Sequence, residues 1–297
     1  MHRYQFKKID AFVTGLSSGN PAGCVYLPDG NALSPAGMQQ IARELAGYVS
    51  EVVYLWREAG HTTFCYYSAE REVAFCGHGT IAAMYDLIKN DPNLIYDPII
   101  RIHVGDNTLL VKNEIQSADS VFVSAPQPVF LSTDLTVDHI AAALKIKPGD
   151  IEGSKPIAFI NAGLATLIVP IPSLQTLLSI HPDQANLKEF CLSHAIDLIL
   201  VFSEEVSSPE SQYRTRVFAP LYGYLEDPAT GSGNAALGYH LLTAGAWDGK
   251  MISIEQGRSR EHPNIIKLVC DESQQHRTVY FGGNAIVRIE GEYLLQM

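Results

Sequence analysis

Short runs of hydrophobic residues, many of them β-branched or aromatic, recur along the chain and predict strands. In the first third these runs cover residues 6–12, 24–27, 49–56 and 64–67. Between the second and third runs, apolar residues recur at helical spacing after Ser34 and stop before Gly47. Serine suits the N-cap of a helix and glycine its end, so this stretch is predicted to be helical.

Two glycine-rich segments each lead into an alanine-rich stretch that predicts a helix. The first begins Cys76-Gly77-His78-Gly79-Thr80 and the second runs from Asp227-Pro228-Ala229-Thr230 to Gly231-Ser232-Gly233. The predicted helices reach about Lys89 and Ala244. A helix start presents unpaired backbone N–H groups and the positive end of the helix dipole, so it attracts anions. Because the chain has two such helix starts, we expect it to bind a substrate carboxylate between its two halves.

The second half of the chain repeats the order of elements found in the first. Predicted strands at 157–160 and 166–169 precede helical stretches at 174–178 and 187–194, then strands at 197–202 and 216–219. Further strands are predicted at 251–256, 265–270, 278–281 and 285–289, and a proline-bearing segment at 124–128 separates the repeats. The pattern predicts two α+β lobes rather than a helix-layered parallel sheet.

Charge and cysteine content narrow the class of protein. The formal net charge of −11 over 297 residues argues against binding to nucleic acid or anionic lipid. No apolar run reaches the roughly 18 residues of a membrane span, and the N-terminus lacks a signal-peptide core, so a cytoplasmic location is expected. The five cysteines are scattered without zinc-ligand spacing, so no metal site is predicted.

Glu51 interrupts a strongly apolar run and has two interpretations. It faces water on a half-exposed strand, or it lies in an apolar cleft where a raised pKa suits it to acid–base catalysis. His78 is likewise either a residue bonded to its own helix start or a proton carrier kept neutral by the dipole. Cys76 is either an inert buried thiol or a thiolate in the same field.

The second segment also has structural and chemical interpretations. Asp227 before proline starts turns, and Asp, Thr and Ser are ordinary helix caps. The glycines weakly resemble a phosphate loop, but no lysine follows them, and the chain lacks the GxSxG elbow of serine hydrolases.

Taken in order, the motifs resemble those of the PhzF-like family, named for an isomerase of phenazine biosynthesis. The matching segments are Gly19-Asn20-Pro21-Ala22, Ser50-Glu51, Cys76-Gly77-His78-Gly79-Thr80, Glu226-Asp227-Pro228-Ala229-Thr230-Gly231-Ser232, Glu255-Gln256-Gly257-Arg258 and Phe281-Gly282-Gly283-Asn284-Ala285. The likeness spans nearly the whole chain.

The resemblance implies a diaminopimelate-epimerase-like fold of two pseudo-symmetric lobes, each a β-sheet wrapped around a central helix. The implied lobes are residues 1–123 with a returning strand at 285–297, and residues 124–284. It further implies no cofactor, a homodimer, and catalysis by Glu51, His78 and Asp227. The residues expected to bind substrate are Asn20, Cys76, Gly77, Gly79, Thr80, Thr230, Gly231, Ser232 and Gly233.

The expected activity is a cofactor-independent proton shift on a small carboxylic acid bound between the lobes, with Glu51 as the proton carrier. Related racemases and epimerases have one cysteine at each helix start, whereas here Asp227-Pro228 occupies the second place. An amino- or hydroxy-acid epimerase that uses Cys76 is the first alternative. A non-catalytic ligand-binding or interaction protein on the same fold is the second.

Overall fold

The chain is described by a computed structural model that covers residues 2–30, 33–58, 60–272 and 277–296. It divides into two compact units, Met1–Ser124 with Gly282–Met297, and Ala125–Phe281. The bounds of the lobes implied by the resemblance, 1–123 with 285–297 and 124–284, remain a prediction. Among the described residues, no helix combines the length and apolarity needed to cross a membrane.

The first unit is a mixed sheet with a helix packed against it. Its strands are β1 (His2–Ala11), β2 (Asn20–Tyr26), β3 (Glu51–Glu58), β4 (His61–Ser68), β5 (Glu72–Val73), β6 (Ile99–Val104), β7 (Asn107–Glu114) and β8 (Ser120–Ser124), and its helices are α1 (Pro35–Glu44), α2 (Gly77–Asn90) and α3 (Ile115–Ala118). β1–β2 is antiparallel, β2–β3 parallel and β3–β4 antiparallel. β4 then pairs with β5 antiparallel and with β6 parallel, and β6–β7 and β7–β8 are antiparallel.

The second unit has the same kind of architecture. Its elements are β9 (Val129–Leu131), α4 (Val137–Leu144), β10 (Ala158–Asn161), β11 (Ala165–Pro170), α5 (Leu174–Ser179), α6 (Gln184–Ser193), β12 (Leu198–Ser203), β13 (Tyr213–Phe218), β14 (Glu226–Asp227), α7 (Gly231–Thr243), β15 (Ile252–Gln256), β16 (Asn264–Asp271) and the start of β17 (Thr278–Gly283). The chain then returns to the first unit as β18 (Ala285–Leu295), which lies antiparallel to β1.

The two sheets repeat one order of pairings. In the second unit β10–β11 is antiparallel, β11–β12 parallel and β12–β13 antiparallel. β13 pairs with β14 antiparallel and with β15 parallel, and β15–β16 is antiparallel. This is the order of β1 to β7, so the repeat predicted from the sequence is present in the topology.

A buried helix forms the centre of each unit. Helix α2 contacts β1, β2, β3, β8 and β18, and α7 contacts β10, β11, β12 and β16. Both helices are rich in alanine and glycine and are buried over most of their length. A helix buried on all sides needs small residues where strands approach it, which explains the composition of both glycine-rich segments.

Several predicted strand boundaries are wrong. The strand predicted at 24–27 is β2, which begins earlier, at Asn20, and places Pro21 opposite Asp10 of β1. The strand predicted at 216–219 is β13, which begins at Tyr213. Arg214 and Arg216 of this strand are charged but buried, so the hydrophobic pattern does not identify the strand as a buried one. The hydrophobic pattern makes no prediction for β6, β7, β8 and α4.

Candidate active site

The first unit brings Glu51, Cys76 and His78 together. Glu51 is the first residue of β3, Cys76 is the N-cap of α2, and His78 is the second residue of that helix. The His78 Nε2 atom lies 3.4 Å from the Glu51 Oε2 atom. The Cys76 Sγ atom lies 3.6 Å from Nδ1 and 3.9 Å from Nε2 of the same imidazole. A carboxyl, a thiol and an imidazole therefore share one small volume.

Small residues and a buried hydroxyl chain shape this helix start. A Cβ atom at Gly79 would lie 2.6 Å from Val53 Cγ2 and 3.0 Å from Cys76 Sγ, so the helix approaches β3 too closely for a side chain. The Thr80 hydroxyl donates to the Cys76 carbonyl at 2.7 Å and accepts from the Tyr66 hydroxyl at 2.7 Å. These bonds hold the first turn of α2 against β4.

Burial sets the protonation state of the imidazole. The side chain of His78 is 11% exposed and that of Glu51 is 17% exposed. Burial lowers the pKa of His78 to about 4, and a hydrogen bond with the Pro21 backbone opposes this shift without offsetting it. His78 is therefore a neutral imidazole near neutral pH, with one ring nitrogen able to accept a proton.

The other predicted residues of this unit surround the cluster in different ways. Asn20 begins β2 and is almost completely buried. The next residue, Pro21, accepts a hydrogen bond from the Ser50 amide at its carbonyl, which ties β2 to the residue before Glu51. Gly77 and Gly79 lie in the first turn of α2. The hydroxyl and the backbone N–H of Thr80 both donate to the Cys76 carbonyl, and the predicted contact of Thr80 with substrate stays a prediction.

The second unit holds a different set of polar groups at the start of α7. Asp227 lies in β14 and is 8% exposed, Thr230 is the N-cap of α7, and Gly231 is the first helical residue. The Thr230 hydroxyl donates to the Asp227 carboxylate. Ser232 is half-buried, and Gly233 packs behind it against β12.

A fully buried glutamine, Gln256 at the end of β15, organises this turn. Its Oε1 atom accepts from the Thr230 amide at 3.0 Å and from the Asn234 side chain at 2.7 Å. Its Nε2 atom donates to the Asp227 carbonyl at 2.9 Å and to the Thr230 hydroxyl at 3.0 Å. Because an amide N–H only donates, the Thr230 hydroxyl is left to donate its own proton to Asp227.

Sequence reasoning missed the roles of Gln256, Asn234 and Tyr66. The only signal was that Gln256 lies in a C-terminal segment, Glu255-Gln256-Gly257-Arg258, that resembles a family signature. Nothing in that segment shows that its glutamine contacts a turn some 26 residues earlier. Tyr66 and Asn234 read as an ordinary strand residue and an ordinary helix residue.

A family model described as phenazine biosynthesis-like protein matches residues 9–291. The chain belongs to this family. The resemblance predicted from the motifs is thereby confirmed. Among its relatives, trans-2,3-dihydro-3-hydroxyanthranilate isomerase of Pseudomonas fluorescens is 28% identical, with 99% of this chain and 100% of the relative covered. The uncharacterized isomerase YfhB of Bacillus subtilis is also 28% identical, with 96% and 97% covered. This phenazine biosynthesis-like chain is an isomerase, as predicted.

Solved structures show the same fold. A PhzF-family phenazine biosynthesis protein of Bacillus anthracis superposes with a TM-score of 0.85 at 22% identity, covering 99% of this chain and all of the other. A hydroxyproline epimerase of Agrobacterium vitis superposes with a TM-score of 0.58 at 11% identity, covering 98% and 92%. The predicted fold class, two pseudo-symmetric lobes each built on a sheet around a central helix, is confirmed.

Proposed function

We propose that this isomerase moves a proton from one carbon to another within a small carboxylic acid, with Glu51 as the proton carrier. The observation that supports this most is the 3.4 Å separation of the Glu51 carboxyl and the His78 imidazole at the start of a buried helix. A carboxylate next to a neutral imidazole and a set of backbone N–H groups can both take a proton and stabilise the resulting anion.

The proposed reaction has two steps. The Glu51 carboxylate removes a proton from a carbon of the acid, which leaves a delocalised carbanion and a neutral Glu51 carboxyl. That carboxyl then gives its proton to a different carbon of the same anion, which restores the Glu51 carboxylate. The amide N–H groups at the start of α2 stabilise the negative charge, and His78 donates or accepts a hydrogen bond without changing the proton balance.

A role for the second unit is part of the proposal. Helix α7 begins with the same kind of glycine-rich turn as α2. Asp227 lies beside its N-cap and accepts a hydrogen bond from the Thr230 hydroxyl, which in turn accepts one from Gln256. This supports Asp227 as a second polar group acting on the substrate, and the amides of Gly231, Ser232 and Gly233 as donors to a carboxylate. Binding of the acid between the two lobes stays a prediction.

An epimerase or racemase that uses Cys76 is the second candidate. Its support is the Cys76 thiol, whose sulfur lies 3.6 Å from the His78 ring and within 4.8 Å of a Glu51 carboxylate oxygen. The residue of α7 at the position of Cys76 is its N-cap, Thr230, and not Asp227-Pro228 as expected from the sequence, so a mechanism with two thiol bases lacks its second base. We therefore favour the carboxyl route.

The test is proton exchange in deuterated water, followed by NMR. The panel begins with trans-2,3-dihydro-3-hydroxyanthranilate, the acid in the name of the Pseudomonas relative, and continues with other cyclic and acyclic carboxylic acids. A proton shift moves a double bond, which the NMR spectrum shows whether or not the proton held by Glu51 exchanges with solvent; deuterium on the receiving carbon measures how much of it exchanges. Deuterium at a stereocentre without a change in connectivity supports the epimerase instead. Neither a moved double bond nor deuterium in any acid contradicts both and favours a ligand-binding protein.

Cofactor independence, a homodimer and a cytoplasmic location remain predictions from the sequence and its resemblance. Turnover of the purified chain after dialysis against a chelator tests the first. Sedimentation velocity across a concentration series tests the second, and cell fractionation tests the third.

A further inference from the structure

We propose that Glu51, Cys76 and His78 form an exchangeable site for a thiophilic divalent cation such as Zn²⁺, and that its occupation stops the isomerase. The three side chains offer a carboxylate oxygen, a thiol sulfur and an imidazole nitrogen, and these atoms all lie within 4.8 Å of one another. The inhibitory part of this inference rests on the proposed function, whereas the binding part does not.

The donor set is one that zinc prefers. Thiolate, imidazole and carboxylate are the three protein ligands of Zn²⁺, and sites that keep an open position use three of them with a water as the fourth. Zinc–ligand bonds of about 2.0–2.3 Å place tetrahedral ligand atoms roughly 3.3–3.7 Å apart. The cluster has 3.4 Å between Nε2 and Oε2 and 3.9 Å between Sγ and Nε2. The third pair, the Cys76 sulfur and a Glu51 carboxylate oxygen, lies within 4.8 Å, so coordination of one ion by all three atoms requires side-chain rotation.

Packing has already fixed the elements that carry these ligands. Cys76 and His78 are two residues apart on the first turn of α2, which the Thr80 and Tyr66 hydroxyls hold in place. Glu51 begins β3, which pairs with β2 on one side and with β4 on the other. A site whose ligands are preorganised loses little conformational entropy when an ion binds.

Charge limits the affinity and makes the ion exchangeable. A bound zinc ion deprotonates the thiol, so Cys76 and Glu51 together supply two negative charges to the ion. The positive end of the α2 dipole opposes a cation at the same place. The expected result is reversible binding that a chelator removes, unlike a structural zinc site that the fold requires.

The consequence for catalysis follows from the shared atoms. A zinc ion would occupy the Glu51 oxygen that is proposed to take the substrate proton and the His78 nitrogen beside it. The isomerase then has no free base, so turnover is expected to fall with zinc occupancy and to return when a chelator is added.

The test is a Co²⁺ titration of the full-length, chelator-treated protein, read by absorption. Cobalt bound to a thiolate gives a sulfur-to-metal charge-transfer band, and Zn²⁺ is then added to displace it. We expect one equivalent of cobalt and a band in the wild type. Cys65→Ser, a change to a half-buried thiol elsewhere in the same unit, is expected to retain both.

Cys76→Ser is expected to lose the band, and Glu51→Gln to weaken cobalt binding by more than the roughly 10–100-fold that outer-shell changes cost. Circular dichroism checks that each variant is folded. A wild type without the band, or a band that survives Cys76→Ser, overturns the site and leaves the proposed function untouched. A wild type that binds zinc through Cys76 yet keeps its turnover overturns the inhibition and speaks against Glu51 as the proton carrier.

Discussion

The starts of α2 and α7 have the same backbone geometry and different side chains. In both, the fourth helical residue bonds back to the carbonyl of the N-cap: the Thr80 hydroxyl to Cys76 at 2.7 Å, and the Asn234 amide to Thr230 at 2.8 Å. In both, a strand residue completes the chain, Tyr66 of β4 in one and Thr215 of β13 in the other. The repeated fold thus includes a repeated buried polar link.

The groups around these two links differ in kind. The first unit has titratable groups at the N-cap and the second helical position, Cys76 and His78, whereas the second has the hydroxyls of Thr230 and Ser232. Among the described residues, only the second unit has a buried glutamine, Gln256, that makes four hydrogen bonds to its turn. The repeat therefore preserves the scaffold, while the first copy has a thiol and an imidazole at its helix start and the second has hydroxyls beside the Asp227 carboxylate.

The beginnings of β3 and of its counterpart in the second unit, β12, show the same contrast. Glu51 begins β3 and directs its carboxylate to His78. In the second unit Asp197 precedes β12 and its carboxylate accepts a hydrogen bond from the Ala165 amide at 2.8 Å. One acid contacts an imidazole and the other supports the backbone, so their removal should have different consequences.

The largest expected effect comes from exchanging these two acids for amides. Glu51→Gln should lower kcat by about 10²–10⁴-fold, the usual contribution of a general base, with little change in stability. Asp197→Asn should leave kcat within a few-fold and lower the urea midpoint, because it weakens a hydrogen bond to a charged acceptor. Steady-state kinetics and urea unfolding measure both. Equal turnover of Glu51→Gln and the wild type would remove Glu51 from the mechanism.

The next effect concerns the glutamine that the first unit lacks. Gln256→Leu leaves the Thr230 amide and the Asn234 side chain without their acceptor, so we expect a loss of about 2–4 kcal/mol in stability. Gln256→Glu keeps the acceptor but removes the donor to the Thr230 hydroxyl and the Asp227 carbonyl. A buried carboxylate facing the Asp227 carbonyl costs stability as well, so this variant is not expected to recover the loss of the leucine variant. In both variants kcat should be low, because the Thr230 hydroxyl loses the donor that orients it toward Asp227.

Urea midpoints and kcat, measured on both variants, test this assignment. If Gln256→Glu has normal turnover, the orientation of the Thr230 hydroxyl has no influence on Asp227, and Gln256 is a purely structural residue.

Alanine substitutions at two equivalent glycines are expected to have smaller effects on stability, of opposite sign. A Cβ atom at Gly79 would lie 2.6 Å from Val53, whereas at Gly233 its nearest neighbour is Thr230 Cγ2 at 3.4 Å. Gly79→Ala should therefore destabilise the chain by about 1–2 kcal/mol, after the gain in helix propensity, whereas Gly233→Ala should be neutral or slightly stabilising. Thermal unfolding of the two variants measures the difference. A Gly79→Ala variant as stable as the wild type would show that β3 moves away from the helix to make room for the added methyl group.

The smallest effects come from the two strand hydroxyls. Tyr66→Phe and Thr215→Val each remove one donor to the helix start, from Thr80 in one unit and Asn234 in the other. Each should cost about 1 kcal/mol, because the net worth of a typical buried hydrogen bond is of that size. The measurement is the urea midpoint. Effects that differ several-fold would contradict the equivalence of the two links.

Several features of the fold were predictable because they depend on neighbouring residues. Ser34 accepts a hydrogen bond from the Gly37 amide and begins α1 as predicted, and both glycine-rich segments begin the central helices. The strand containing Arg214 was only partly predicted. Arg214 pairs with Glu255 at 3.0 Å, and both side chains are fully buried. A charge neutralised by a residue 41 positions away looks like a surface residue in any local pattern.

In the candidate site, too, the residue types follow from local motifs, whereas the distances between them depend on distant parts of the chain. The motifs identify Glu51, Cys76 and His78 individually, with either a structural or a chemical interpretation for each. Their mutual distances depend on β3 lying parallel to β2 and on α2 packing against both. Those long-range contacts also decide that burial lowers the pKa of His78, and that the scattered cysteines nevertheless include one beside an imidazole and a carboxyl group.

By itself the sequence determined the family, the order of the elements with a strong hydrophobic pattern, the internal repeat and the two helix starts, since each follows from residue types at short spacing. Only the tertiary structure decided which polar side chains meet. Helix caps and glycine turns are local interactions, whereas a proton relay or an ion site requires atoms from distant segments to lie a few ångströms apart in a packed interior. Packing of the strands and the central helix supplies those distances.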